Sequence, residues 1–207
     1  MPLLEKTIYL ASRSPRRREL LRQIGIGHEL LLLREDSKRG IDVDETPHAG
    51  ELPRDYALRV ATAKAAAGLQ VVARRGGGMI KPVLAADTTI ALDDAIIGKP
   101  ADAAAARHIL NRLSGRSHTV ITAVAMAFAG QLETRISESV VTIRTLDAGL
   151  IQRYIESGEP VDKAGAYAVQ GRAAAFITRI EGSYSGIMGL PLAETVELLA
   201  LFGIDTP

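Results

Sequence analysis

Thr7-Ile8-Tyr9-Leu10-Ala11-Ser12-Arg13-Ser14-Pro15-Arg16-Arg17 passes from one kind of structure to another within eleven residues. Thr7 to Ala11 has the apolar, β-branched character of a buried strand. Ser14 occupies the place of a helix N-cap. Pro15 follows at the first helical position, where its missing N–H costs nothing. Leu20, Leu21 and Ile24 then recur at helical spacing, and Gly25 is a stop signal. A strand that turns at once into a helix is the opening of an α/β arrangement.

The alternation continues outward from this unit. Residues 34 to 51 are polar and irregular and predict a long loop, a kind of segment that is often functional inside a compact domain. Pro53 opens a helix whose predicted apolar stripe is Tyr56, Val60, Ala63 and Ala67. Arg74 to Gly78 is predicted as a connector. Val83 to Leu92 is an apolar strand interrupted by Asp87, Thr88 and Thr89. A helix is expected from Asp102 to Leu113, with Ala106, Ile109, Leu110 and Leu113 inward. Two strands follow, near 118–129 and 136–145, around Gly130. Asp147 caps a helix that Gly158 stops, 174–180 is predicted as a strand, and Leu192 to Phe202 as a closing helix. Crossover helices combined with a hairpin predict a mixed sheet, and a length of 207 residues lies between one large domain and two small ones.

Composition narrows the function classes. Net charge is only +1, unlike a protein that coats nucleic acid through a large basic surplus. There is no cysteine, so disulfides, thiolate metal sites and cysteine nucleophiles are excluded. The four histidines show no zinc spacing. The N-terminus lacks the pattern of a secretory signal, and the longest apolar stretch is too short to span a bilayer, so a cytoplasmic protein is expected.

Several segments carry possible chemistry. A helix N-terminus leaves N–H groups free and bears partial positive charge. Ser12, Ser14, Arg16 and Arg17 would add donors and guanidinium forks suited to phosphate. Taken alone, this segment is better explained as a capped surface helix with solvated arginines at 16 to 18. Asp87 is different, because a carboxylate inside an apolar strand needs a partner or a metal. Glu45 lies in an acidic stretch that could serve Mg²⁺, though a solvated loop is the plainer reading. Lys64, on an otherwise apolar helix, and Lys99, in Gly98-Lys99-Pro100, are weak cationic signals. Gln170 ends a small-residue segment, Asp162 to Gly171, and offers both a donor and an acceptor to a base edge.

These signals gain weight together. Leu10-Ala11-Ser12-Arg13-Ser14-Pro15-Arg16-Arg17, Asp44-Glu45, Ala86-Asp87-Thr88, Gly98-Lys99-Pro100, Leu113-Ser114-Gly115, Asp162-Lys163-Ala164-Gly165-Ala166-Tyr167, Gln170-Gly171 and Gly189-Leu190-Pro191-Leu192 occur in this order. The chain thereby resembles the Maf family of nucleoside triphosphate pyrophosphatases. The resemblance implies an ITPase-like, Maf-like α/β fold in a single domain spanning 1–207: an elongated mixed β-sheet with flanking helices and two lobes around a deep cleft. It implies cleavage between the α and β phosphates, a divalent metal (Mg²⁺ or Mn²⁺) held by Glu45 and Asp87, and Asp87 as catalytic residue. Ser12, Arg16, Arg17, Lys64, Lys99, Thr88 and Gln170 would bind substrate. Arg16, Thr88 and Gln170 match the members acting on dTTP and UTP rather than those acting on 7-methyl-GTP. A homodimer without membrane or stable nucleic-acid binding is implied as well. The rival from another class is a non-catalytic regulator that binds nucleotide, nucleic acid or a division protein, and the rival within the enzyme class is a pyrophosphatase for modified or purine nucleotides such as 7-methyl-GTP.

Overall fold

The computed structural model describes residues 7–34, 40–75 and 81–206. Its elements in chain order are β1 (Thr7–Leu10), α1 (Pro15–Gln23), β2 (Gly27–Leu30), α2 (Pro53–Arg75), β3 (Val83–Leu92), β4 (Ala95–Ile97) and α3 (Ala103–Leu113). There follow β5 (Ser117–Phe128), β6 (Gln131–Ile143), α4 (Ala148–Glu156), β7 (Ile177–Glu181), α5 (Tyr184–Met188) and α6 (Leu192–Leu201). Among the described residues the strands form one seven-stranded sheet in the order β2-β1-β3-β5-β6-β7, with β4 also on β3. β1 runs parallel to β2 and β3, whereas β3, β5, β6 and β7 pair antiparallel in succession. The predicted mixed sheet with flanking helices is what forms.

β3 organises the molecule. Successive side chains on a strand point to opposite faces. Leu84 and Ala86 pack with α1 and α6 through Leu21, Leu198 and Leu199, while Val83 and Ala85 pack with α2 through Ala57, Ala61 and Ala65. Farther along, Ile90 and Leu92 join a third cluster with Leu110, Leu113 and Tyr154. One edge of β3 is filled by β5 from Val83 to Ala91. The other edge is shared. β1 reaches only Val83 and Leu84, and β4 takes Ile90 to Leu92. Residues 85–89 are left in a notch between them.

The helix α2 lies close on the sheet. A Cβ built at Gly68 would come within 2.7 Å of Val83 Cγ1 and 3.1 Å of Leu31, so only glycine allows this approach. The buried line is Ala57, Val60, Ala61, Ala65 and Gly68. This corrects the predicted stripe, in which Tyr56, Ala63 and Ala67 are only half-buried. Alanines surround the helix, so apolar periodicity alone did not select the inner face.

Other boundaries also move. Residues 172–176 form a 3₁₀ turn, and only 177–181 are strand, not 174–180. β6 starts at Gln131 because the β5–β6 hairpin turns tightly at Ala129-Gly130, both at positive φ. The short strands β2 and β4 and the helix α5 were not anticipated. Ser14 stands at the N-cap of α1 but makes no side-chain cap; Ser12 Oγ accepts the Ser14 N–H at 3.1 Å instead. Arg18, expected to be a solvated charge, has its Nε buried without a partner. Of the predicted connector, α2 continues through Arg74 and Arg75, and Gly76 to Gly78 lie outside the described residues, as do 35–39 of the predicted loop.

Candidate active site

The notch on β3 opens into a cleft of about 1100 Å³. Ser12, Arg16, Arg17, Glu45, Lys64, Asp87, Thr88, Lys99 and Gln170 all line it, so every residue singled out from the sequence faces the same space. Seven cationic side chains and three carboxylates line the cleft, against a net charge of +1 for the whole chain. The positive surplus is therefore gathered here.

Strand alternation sets the two sides of the site. Asp87 shares a face with Val83 and Ala85, beneath α2, and Lys64 of α2 meets it there. Lys64 Nζ is 2.9 Å from Asp87 Oδ1 and 3.0 Å from Glu45 Oε1. Asp87 is 7% exposed, and its ion pair is the compensation that a buried carboxylate needs. Thr88 points the other way, toward α1. Arg17 Nη2 donates to Thr88 Oγ1 at 3.2 Å. The Thr122 hydroxyl, fully buried on the register partner of Thr88, is within hydrogen-bond reach of both Thr88 Oγ1 (2.9 Å) and the Gly186 carbonyl (2.8 Å).

Arg17 is tied into the fold. Nη1 donates to the Ala86 carbonyl at 2.8 Å and to Ser12 Oγ at 3.3 Å, and Nε donates to the Gly189 carbonyl at 2.7 Å. The Ala86 carbonyl is one that the missing strand neighbour in the notch would otherwise have taken. Burial pulls the Arg17 guanidinium below its usual pKa range, opposed chiefly by the nearby Asp87 charge. Most of its donors serve the protein, so its guanidinium is less available than the sequence suggested. Arg16, by contrast, makes a single long contact, Nε to the Met188 carbonyl at 3.4 Å.

Glu45 belongs to the loop before α2, and Arg59 fastens that loop. Arg59 donates to Glu51 through Nε (2.6 Å) and Nη2 (2.8 Å), and to the carbonyls of Asp44 (3.1 Å) and Thr46 (3.0 Å). The paired guanidinium holds the Glu51 carboxyl down to a pKa of about 2. Tyr56 lies under the Arg59 guanidinium and donates to the Glu45 carbonyl at 3.0 Å. Burial first, then the charges of Asp87 and Glu45, push its phenol up to about 12, so it remains a donor. Sequence reading missed Tyr56, Arg59 and Thr122. Tyr56 reads as part of the apolar stripe, the partners of Arg59 lie in the irregular loop 8 to 15 residues before it, and those of Thr122 lie 34 and 64 residues away.

On the far wall, Gly165 N–H donates to the Gly98 carbonyl at 3.1 Å, which joins the Lys99 turn to the segment carrying Lys163. Lys99 and Gln170 are exposed to the cleft. Glu45 and Asp87 fit a hard divalent cation: Lys64 already draws both carboxylates toward one positive centre, and Mg²⁺ is commonly held by one or two carboxylates plus phosphate oxygens. Among the described residues no group of three or more His, Cys, Asp or Glu side chains is placed to hold a metal, so oxygens of water or of a bound ligand would complete the shell.

A mixed α/β sheet with a cation-lined notch and a carboxylate pair defines a site for a polyanionic ligand. The chain belongs to the Maf family: residues 7–202 match the family model described as Maf-like protein. It is 55% identical to a dTTP/UTP pyrophosphatase of Nitrosomonas europaea, over 96% of this chain and 95% of that protein. Proteins of the same description from Aromatoleum aromaticum and Dechloromonas aromatica are 53% and 52% identical. The first match covers 98% of both chains, the second 95% of this chain and 97% of its relative.

Proposed function

We propose that this protein is a pyrophosphatase that hydrolyses dTTP and UTP to the nucleoside monophosphate and pyrophosphate. The observation that carries the reading is Lys64 bridging Asp87 and Glu45 inside a cleft otherwise rich in cations. The similarity to relatives named for that activity supports it.

A triphosphate brings several negative charges, which repel an incoming nucleophile. Arg16 and Lys99 would offset that charge from opposite walls of the cleft, and the first turn of α1 adds its free N–H groups. Arg17 holds the wall in shape and has one N–H left for phosphate. Asp87 would orient the attacking water and accept its proton, with Lys64 fixing the carboxylate in place. Glu45 and Asp87 would hold a divalent metal, which supplies Lewis-acid stabilisation of the leaving pyrophosphate when bound. Thr88, held by Arg17 and Thr122, and Gln170 would contact the nucleoside. Cytoplasmic residence, a homodimer, and a role in clearing non-standard nucleotides or in cell division belong to the same reading.

The test is product analysis over a nucleotide panel, with Mg²⁺, with Mn²⁺ and with a chelator. UMP plus pyrophosphate from UTP is expected, with activity lost on chelation and restored by metal. UDP plus orthophosphate, or faster turnover of 7-methyl-GTP than of UTP, would overturn the reading.

A further inference from the structure

Gln170 stands on an exposed turn, yet a residue that reads a base must be held still. The turn is closed by Gly171 N–H donating to the Ala168 carbonyl at 3.0 Å. Beneath it lies Glu159, from the segment after α4. Its Oε2 accepts the Arg172 N–H at 2.8 Å, and its Oε1 accepts the Ala173 N–H at 3.3 Å and the Tyr154 hydroxyl at 3.0 Å. Three donors from two segments thus converge on one carboxylate. The carboxylate also lies against Gly171 itself: a Cβ there would fall 2.4 Å from Oε1 and 2.6 Å from Cδ. The φ of Gly171 is −103°, so close approach rather than an unusual backbone angle requires glycine. Tyr154 is 3% exposed and its ring packs edge-on against Phe176 at 5.1 Å, so the far end of the clamp is anchored in the core.

We propose that Glu159 is a positioning residue for nucleobase selection: it clamps the 168–173 turn to Tyr154 and so fixes where Gln170 meets the base. This rests on the reading of Gln170 as a base contact. A carboxylate suits the position because it accepts at both oxygens. An amide would turn its NH₂ toward a donor at one of them. The clamp has no contact with Asp87 or Lys64, so loosening it should affect selection more than the chemical step.

The test uses the full chain and measures kcat and KM for UTP and CTP, whose base edges reverse donor and acceptor. The variants are Glu159→Gln, Tyr154→Phe, Gln170→Ala and the Glu159→Gln/Gln170→Ala double. Gln170→Ala should lower the UTP-to-CTP ratio of kcat/KM. Glu159→Gln should lower it roughly tenfold, mainly through KM for UTP, and Tyr154→Phe should do so several-fold. The double variant should fall no further than Gln170→Ala, because residues acting through one another are not additive. Tyr154→Phe keeps the core ring and serves as the folding-safe arm. A ratio unchanged in Glu159→Gln and Tyr154→Phe while Gln170→Ala lowers it overturns the clamp alone. An unchanged ratio in Gln170→Ala overturns the base-contact reading, and the clamp with it. Additive losses, or an equal fall in kcat for both nucleotides, would assign Glu159 a merely structural role.

Discussion

Lys64 Nζ stands 2.9 Å from Asp87 Oδ1 and 3.0 Å from Glu45 Oε1, so one ammonium group joins a strand carboxylate to a loop carboxylate across the cleft. Asp87→Asn keeps the volume and removes the charge that the site is built around. Turnover of UTP should fall by about 10²-fold or more, with the thermal midpoint little changed. Pyrophosphate release on protein verified as folded by circular dichroism checks this; near wild-type turnover would remove Asp87 from the mechanism.

Arg17→Lys preserves charge but not the fork. A single ammonium cannot serve the Ala86 and Gly189 carbonyls and Thr88 Oγ1 together. The substitution should cost about 2–4 kcal/mol of stability, because buried carbonyls lose their donors. Urea unfolding monitored by circular dichroism measures it.

Arg59→Ala releases the loop that presents Glu45 without touching Asp87. The Mg²⁺ concentration for half-maximal activity should rise several-fold, while kcat at saturating metal should stay within about threefold. A metal titration at fixed UTP separates this from a general loss of folding.

His118 gives a pH signature. It is 3% exposed and its Nε2 meets the Tyr167 hydroxyl at 2.7 Å; burial lowers its pKa from 6.5 to about 4. Between those values the unfolded chain binds the proton and the folded chain does not. Stability should therefore fall as pH drops from about 6.5 to about 4, by about 3 kcal/mol, and this contribution should level off below that. His118→Asn should flatten the slope across that window in urea titrations at stepped pH.

The sequence was most legible where one residue determines its own surroundings. Pro15, Pro53, Asp102 and Asp147 marked helix starts correctly, because caps and prolines act locally. Asp87 was legible as a partnered carboxylate because its strand is apolar on both sides. The identity of the partner was not, since Lys64 lies 23 residues earlier and meets Asp87 only when α2 folds onto β3. Arg17 shows the limit from the other direction. Ser-Pro-Arg-Arg suggested phosphate binding, but only the truncated β1 shows that the Ala86 carbonyl needed a donor. β2 and β4 escaped notice because short edge strands carry too few residues to display a period.

The close seating of α2 has a further meaning. Lys64 reaches Asp87 from a helix whose most buried contacts with the sheet are Ala57, Ala61, Ala65 and Gly68, with Leu58 and Leu69 only partly buried beside them. Those small side chains act as a shim: they set the height of the ammonium above the strand. Ala61→Val or Gly68→Ala would raise the helix by a fraction of an ångström and detune the charge network from outside the cleft. Apparently conservative changes on a hidden helix face should therefore behave as active-site mutations.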